Sequence, residues 1–164
     1  MLSAERLREL LVYDPATGIF RWDVAGRDGP GTKGSVAGTA SQRYWQITID
    51  RRRYLAHRLA FLYMTGKWPP DHVDHIDGDG FNNRFDNLRL ATRSQNQGNR
   101  RINRNNTTGI KGVIYVAPRK KWWATIRVGG RVRHLGYFAT AQEAAEARNR
   151  SAVEHFGNFA KVIG

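Results

Sequence analysis

The residues best suited to chemistry in this 164-residue chain lie close together, between positions 74 and 96. Asp74 and His75 are adjacent, and Asn87 and Asn96 complete the group within 23 positions. The carboxylate of Asp74 and the amide oxygen of Asn96 are hard donors of the kind that divalent cations prefer. His75 can accept a proton from water near neutral pH, because a histidine ordinarily titrates at about pH 6.5. These groups predict metal-dependent hydrolysis of a phosphodiester bond.

Two short strands and a helix are expected to position these side chains. Residues 73–76 are predicted to end a strand, residues 77–83 to form a loop and residues 88–90 to form a second strand. Either Thr92 or Ser94 could cap the helix that follows. A two-stranded ribbon crossed by this helix would bring the two oxygen donors together, although 22 positions separate them.

Other polar residues near this group have more than one possible role. Asn87 could hold either the ring of His75 or the preceding loop through a hydrogen bond. Asn82 and Asn83 are expected to be turn residues rather than ligands. His57 could touch the site or DNA, but a buried, hydrogen-bonded structural histidine is at least as good an interpretation, so we leave it outside the catalytic set.

Two alternative metal sites are weaker interpretations of the same segment. The Asp-Gly-Asp-Gly run after the first strand suggests a calcium loop, but Leu88 stands where an EF-hand needs a glutamate. His72 and His75 suggest a zinc pair, but no second pair lies nearby, and we expect His72 to be exposed. The chain has no cysteine, which excludes disulfides and thiolate metal ligands.

A small helix-and-strand module is predicted before the reactive segment. Its elements, in chain order, are a Ser3-capped helix carrying Leu7, Leu10 and Leu11, a turn at residues 14–18, a strand at 19–22, a glycine-rich loop at 26–38, and a hairpin of residues 44–49 and 54–55. A helix over residues 56–64, ended by Gly66, then leads into the reactive segment.

A basic, asparagine-rich segment at residues 98–108 has the composition of a linker, and it could also follow a DNA backbone or enter a minor groove. After it the pattern changes to three strands and one helix. The strands are predicted at residues 110–116, 121–128 and 131–138, with a Gly-Gly turn between the last two. Thr140 and Glu143 form a capping box that opens an alanine-rich helix.

The charge of the chain predicts a polyanionic partner. The net charge is +13, and Lys and Arg number 27 against 14 acidic residues. Residues 1–56 and 57–104 each carry +3, whereas residues 105–164 carry +7. Phosphates attract such a surface through counterion release, so solubility alone is the poorer explanation. No apolar run is long enough to cross a membrane, and we expect an intracellular, cytoplasmic protein, in a bacterial host if a phage encodes it.

The third segment is predicted to contact DNA through one face of its sheet. By alternation Trp123, Thr125 and Arg127 share one face, and the intervening apolar residues face the helix. Such a sheet can enter the major groove and read base edges. The DNA-contacting residues that we predict are Arg93, Arg100, Arg101, Arg104, Lys111, Arg119, Lys120, Lys121, Trp123, Thr125, Arg127 and His134.

Residues 57–97 resemble an HNH endonuclease of the phage and homing type, with a ββα-metal core. The motifs that carry the resemblance are His57-Arg58-Leu59, Asp74-His75-Ile76-Asp77-Gly78, Asn82-Asn83, Asn87-Leu88-Arg89 and Thr92-Arg93-Ser94-Gln95-Asn96. The resemblance implies that His75 is the general base, that Asn87 positions it, and that Asp74 and Asn96 hold one divalent metal. The third motif position is Asn96 rather than histidine, which favours Mg²⁺, or Mn²⁺, over zinc.

Residues 109–157 resemble the apetala-type (ethylene-response-factor) DNA-binding domain. The resemblance is carried by Gly109-Ile110-Lys111-Gly112-Val113, by residues 122–127, by His134-Leu135-Gly136-Tyr137-Phe138 and by the helix that follows. It implies that a three-stranded sheet packed on one helix binds duplex DNA. Ile114 and Val116 depart from the plant pattern, in which arginines often occupy the first strand.

The sequence therefore predicts an α+β protein that acts as a DNA endonuclease. We expect an N-terminal DNA-positioning module at residues 1–55, a nuclease core at 56–97, a linker at 98–108 and a DNA-binding domain at 109–164. The expected partner is double-stranded DNA, bound by a monomer or a homodimer. The alternatives are a non-catalytic DNA-binding regulator that uses the same sheet and, more weakly, an RNA-binding module.

Overall fold

The computed structural model describes residues 1–24, 32–99, 102 and 106–160. The chain divides into two compact units, Met1–Leu90 and Ala91–Gly164. Helices combine with small sheets, so the predicted α+β class is confirmed. The first part of the glycine-rich loop, residues 26–31, lies outside the described residues. No helix within the described ranges is long and apolar enough to cross a membrane.

The first half of the chain forms a helix, a hairpin, a small sheet, a second helix and a ribbon. In chain order these are α1 (Ala4–Leu10), β1 (Leu11–Asp14), β2 (Ile19–Trp22), β3 (Thr39–Ala40), β4 (Trp45–Ile49), β5 (Arg52–Leu55), α2 (Ala56–Thr65), β6 (His72–His75) and β7 (Leu88–Ala91). Strands β1 and β2 pair as an antiparallel hairpin, β3, β4 and β5 form a sheet in that order, and β6 pairs with β7.

The start of the chain follows the predicted capping pattern with one correction. The Ser3 hydroxyl accepts a hydrogen bond from the Arg6 amide at 3.1 Å and begins α1. Leu11 was predicted on this helix, but its backbone is extended and pairs with Trp22 in the β1–β2 hairpin. The leucine remains fully buried, because the strand delivers it to the same core as Leu7 and Leu10. The apolar pattern therefore predicted burial correctly and the backbone conformation wrongly.

One apolar core joins α1, the β1–β2 hairpin, the β3–β4–β5 sheet and α2. Its largest fully buried aliphatic and aromatic side chains are Leu7, Leu10, Leu11, Phe20, Ile47, Ile49, Leu59 and Leu62. The predicted hairpin is confirmed as β4 and β5, and the chain turns between them at Asp50 and Arg51, which both have positive φ angles. Gly66 ends α2 in the left-handed conformation, as predicted. This core fixes the frame on which β6 and β7 present polar residues.

The second unit is a three-stranded antiparallel sheet with one helix, α4, packed on it. Its elements are α3 (Arg93–Asn99), β8 (Val113–Val116), β9 (Lys121–Val128), β10 (Arg131–Phe138) and α4 (Ala141–Phe156), and β9 is the central strand. Both β9 and β10 have their predicted bounds, the Gly129–Gly130 turn joins them, and the Thr140 capping box opens α4. Strand β8 begins three residues later than predicted, because Gly112 has a left-handed backbone in a turn before it.

The described residues of the predicted linker include several that contact the second unit. Gly98 and Asn99 are buried in the last turn of α3, which packs against α4. Farther along, the Thr108 hydroxyl donates to the Val113 carbonyl at 2.8 Å, and the Asn106 amide donates to the Ile110 carbonyl at 2.9 Å. These contacts fasten both described edges of the segment to the second unit.

Candidate active site

His75 lies at the end of β6, and its side chain is buried, with 5% of the residue exposed. Burial lowers the pKa of His75 below its ordinary value. The hydrogen bond with Asn83 and the carboxylate of Asp77 act in the opposite direction. An imidazole that remains neutral at physiological pH can accept a proton, so this position suits a general base.

Side chains from three separate parts of the first unit lie against the His75 ring. The Asn83 amide oxygen lies 3.2 Å from its Nε2 atom, and the Tyr44 ring is stacked at a centroid distance of 6.1 Å. His57, on α2, meets it edge to face at 5.0 Å. Sequence reasoning missed Tyr44 and treated Asn83 only as a turn residue. The adjacent Asn82 and Asn83 give no signal along the chain of which one faces inward.

His57 is buried, as one interpretation of the sequence expected, but its hydrogen bonding differs from that interpretation. Its Nδ1 atom has no hydrogen-bond partner among the described residues. Burial, followed by the nearby His75 and Arg58, lowers the pKa of His57 to about 3. A second neutral imidazole therefore lies directly against the candidate base, and His57 belongs to the surroundings of the site.

The loop between β6 and β7 is held by Asn87. Its amide nitrogen donates to the Asp77 carboxylate at 3.1 Å and to the Asn82 carbonyl at 2.8 Å, and its amide oxygen accepts from the Asp77 backbone at 3.1 Å. The Ile76 amide also donates to the Asn87 carbonyl. Of the two roles that the sequence left open for Asn87, these hydrogen bonds support holding the loop. A direct role on the His75 ring stays a prediction.

Asp74 is a buried carboxylate next to the candidate base. The guanidinium of Arg89, on β7, donates to its Oδ2 atom from Nε at 2.9 Å and from Nη2 at 2.8 Å. The exposed fractions of the two side chains are 6% for Asp74 and 19% for Arg89. A cation at Asp74 would either share the carboxylate with this guanidinium or displace it. The oxygen chemistry fits a hard cation, although the described residues contain no cluster of three or more His, Cys, Asp or Glu side chains placed to hold one.

Asn96 lies on α3 in the second unit and is half-buried. Thr92 is the residue that caps this helix: its hydroxyl accepts from the Gln95 amide at 3.3 Å, and the Gln95 side chain accepts from the Thr92 amide at 2.8 Å. Asp74 belongs to the first unit. Their joint binding of one metal stays a prediction.

The second unit presents an aromatic and basic face on its sheet. Trp123, Thr125 and Arg127 lie on the face opposite to Ala124 and Ile126, which pack against α4, as the alternation predicted. A bulge between His134 and Gly136 adds one residue to β10. As a result His134 lies beside Thr125 and Tyr137 lies beside Trp123, on one face.

The other residues that were predicted to contact DNA differ in exposure and in the groups that they touch. Arg119 is exposed and lies over the Tyr137 ring, 4.7 Å from its centroid, a contact that sequence reasoning missed. Lys120, Lys121 and Arg93 are exposed. The ammonium group of Lys111 donates to the Gly98 carbonyl at 2.9 Å, so it supports the end of α3. Three further predicted contacts lie outside the described residues: Arg100, Arg101 and Arg104.

Comparison with known proteins assigns a class to the segment that contains this site. Residues 54–98 match the family model of the HNH endonucleases, so this segment is similar to an HNH endonuclease domain. The chain is 34% identical over 118 residues to an uncharacterised HNH endonuclease of Acanthamoeba polyphaga mimivirus, a match that covers 71% of this chain and 60% of that protein. It is also 38% identical over 60 residues to protein 3.8 of Escherichia phage T7. This second match covers 37% of this chain and 50% of that protein. No solved structure matches the chain.

Proposed function

We propose that this chain is a DNA endonuclease of phage or mobile-element origin that hydrolyses phosphodiester bonds with His75 as general base. The observation that carries the proposal is a buried histidine of lowered pKa beside a buried aspartate, inside the segment that matches the HNH endonuclease family. The similar mimivirus protein, which is described as an uncharacterised HNH endonuclease, supports the same class.

The chain's residues would divide the reaction between them. His75 takes a proton from water as the water oxygen forms a bond to phosphorus; the bond from phosphorus to the 3′ oxygen breaks, and that oxygen leaves with its electron pair and is protonated by solvent. Asn87 keeps the β6–β7 loop in place around the base. One divalent cation, Mg²⁺ or Mn²⁺, held by Asp74 and Asn96, would supply electrostatic stabilisation of the developing negative charge. Cytoplasmic location and action as a monomer or a homodimer belong to the same proposal.

We further propose that the sheet of the second unit binds duplex DNA as an apetala-type domain. The observations in support are the cluster of half-buried Trp123 and Tyr137 with the exposed Arg119 on the sheet face opposite α4, and the +7 charge of residues 105–164. In this organisation residues 1–55 position DNA, 56–97 cut it, 98–108 link and 109–164 bind. Neutralising several phosphates makes binding strongly dependent on salt.

A plasmid assay tests the nuclease proposal. Supercoiled plasmid carrying a verified binding site is incubated with Mg²⁺ or Mn²⁺ and with wild-type, His75→Ala or His72→Ala protein. We expect cleavage to fall by roughly 10²- to 10⁴-fold in His75→Ala. His72 is exposed on the same strand and serves as the matched control, with cleavage close to wild type. Equal cleavage by His75→Ala would remove His75 from the mechanism. No cleavage by the wild type would favour a non-catalytic DNA-binding regulator.

A further inference from the structure

The orientation of the Asn83 amide fixes which atom faces the candidate base. Its nitrogen donates to the Phe81 carbonyl at 3.1 Å, which leaves its oxygen towards Nε2 of His75 at 3.2 Å. Asparagine oxygen and nitrogen are assigned from such networks, and here the neighbouring carbonyl decides the assignment. An amide oxygen can only accept a hydrogen bond, so this contact requires the tautomer that carries its proton on Nε2 of His75.

We infer that Asn83 is the positioning residue of His75, and that it fixes the imidazole tautomer in which Nδ1 is the proton-accepting atom. A neutral imidazole carries one proton on one of its two nitrogens. With the proton on Nε2 held by Asn83, the lone pair lies on Nδ1 and takes the proton from the attacking water. The inference rests on the proposed nuclease function for its catalytic meaning, but the tautomer itself exists without any reaction.

The N-terminal hairpin holds the backbone of Asn83 in place. The buried Tyr13 hydroxyl, on β1, donates to the Asn83 carbonyl at 2.6 Å. Gly18, in the β1–β2 turn, approaches so closely that a Cβ atom there would lie 2.3 Å from the Asn83 carbonyl carbon. The Phe85 amide donates to the Pro15 carbonyl at 3.0 Å. Asn83 itself is 3% exposed. The N-terminal module therefore has a part in positioning the base, in addition to any contact with DNA.

Nitrogen NMR of the full-length protein tests the inference directly. Uniform ¹⁵N labelling distinguishes protonated from unprotonated imidazole nitrogens, and a His75→Gln sample identifies the His75 signals among the five histidines. We expect wild-type His75 to be protonated at Nε2 and unprotonated at Nδ1. Asn83→Leu removes the acceptor and should give a mixture of tautomers. Asn83→Asp retains an acceptor oxygen and should keep the wild-type tautomer. Asn82→Ala loses a hydrogen bond to Asp77 in the same loop and should leave the His75 signals unchanged.

Single-turnover cleavage by the same samples supplies the second readout. Loss of a partner that orients a catalytic group typically costs about 10- to 100-fold in activity, and we expect that loss in Asn83→Leu and substantial rescue in Asn83→Asp. Wild-type His75 protonated mainly at Nδ1 would overturn the inference, and that measurement needs no variant to fold. An Asn83→Leu protein with the wild-type tautomer and rate would also overturn it. Absence of cleavage in every sample, together with the expected tautomer, would contradict the nuclease proposal and leave the positioning role intact.

Discussion

At the scale of single residues, the close pair of buried histidines links the site to the stability of the first unit. His57 and His75 lie 5.0 Å apart and each is 5% exposed. A positive charge on either ring would lose hydration, and charges on both would also repel each other. The unit therefore favours neutral rings, which suits a proton acceptor and makes the fold sensitive to acid.

Replacing His57 should make the free energy of unfolding depend less steeply on pH in the acid range. The pKa of His57 is lowered to about 3, so between the ordinary value of about 6.5 and pH 3 the unfolded chain binds more protons than the folded protein. The contribution of His57 to the free energy of unfolding is therefore at its maximum above about pH 6.5. As pH falls below that value, the free energy of unfolding decreases by up to about 1.4 kcal/mol per pH unit because of this group. Chemical denaturation of wild-type and His57→Phe protein from pH 7 to pH 4 measures the difference in slope.

A packing variant provides the control for this experiment. Leu59 is fully buried on the same helix, and Leu59→Ala should destabilise the protein by about 2–5 kcal/mol at neutral pH. Its decline with acid should still have the wild-type slope, because no titrating group is removed. If His57→Phe declines as steeply as the wild type, the buried neutral state of His57 is not what makes the fold acid-sensitive.

At the scale of secondary structure elements, the bulge in β10 assembles the candidate DNA face. His134 and Tyr137 are three positions apart, so regular alternation would place them on opposite faces. The extra residue, Leu135, joins the core beneath the sheet, and both rings then lie beside Trp123. The Trp123 indole also donates to the His134 ring. Arg119 completes the face by lying over Tyr137.

Removing Arg119 should reduce the salt dependence of DNA binding. If Arg119 neutralises one phosphate, the slope of log affinity against log salt concentration should become shallower by about one, and affinity should fall by a similar factor for all sequences. Fluorescence anisotropy with Arg119→Gln protein at several salt concentrations measures both. Arg150→Gln, on an exposed turn of α4, removes the same charge from outside this face and serves as the control. Equal slopes for the two variants would show that Arg119 contacts no phosphate.

Single residues and secondary structure elements both show which features of the fold can be predicted from sequence patterns. Alternation and capping patterns predicted β9, β10 and the start of α4 because they depend on neighbouring residues. The environment of Asn83 depends on Tyr13 and Gly18, 70 and 65 positions earlier in the chain, and no local pattern connects them. The bulge in β10 could not be predicted either, since a single apolar residue such as Leu135 is compatible with a regular strand and with a bulged one. Contacts between distant segments decided what the sequence could not predict.

At the scale of the whole molecule, the candidate base and the candidate DNA face belong to different compact units. The first unit holds His75, and the second holds the more basic surface. Binding and chemistry should then be separable by substitution, because one unit carries the candidate base and the other carries the candidate DNA face. If substitutions in the sheet weaken DNA binding and substitutions at the candidate base slow cleavage, the sheet serves to bind DNA for the proposed nuclease. If substitutions in the sheet have no effect on DNA binding, the sheet has another purpose.

Kinetics at saturating and subsaturating DNA test this separation in the intact chain. Arg127→Ala should raise the protein concentration needed for half-maximal single-turnover cleavage, with little change in the saturating rate, because it removes binding made equally before and during the reaction. His75→Ala should lower the saturating rate and leave DNA affinity near that of the wild type, since the general base acts mainly in the transition state. The two effects should multiply in the double variant. A lower saturating rate in Arg127→Ala would instead mean that the sheet helps to align DNA for cutting, so the two units would function as one site.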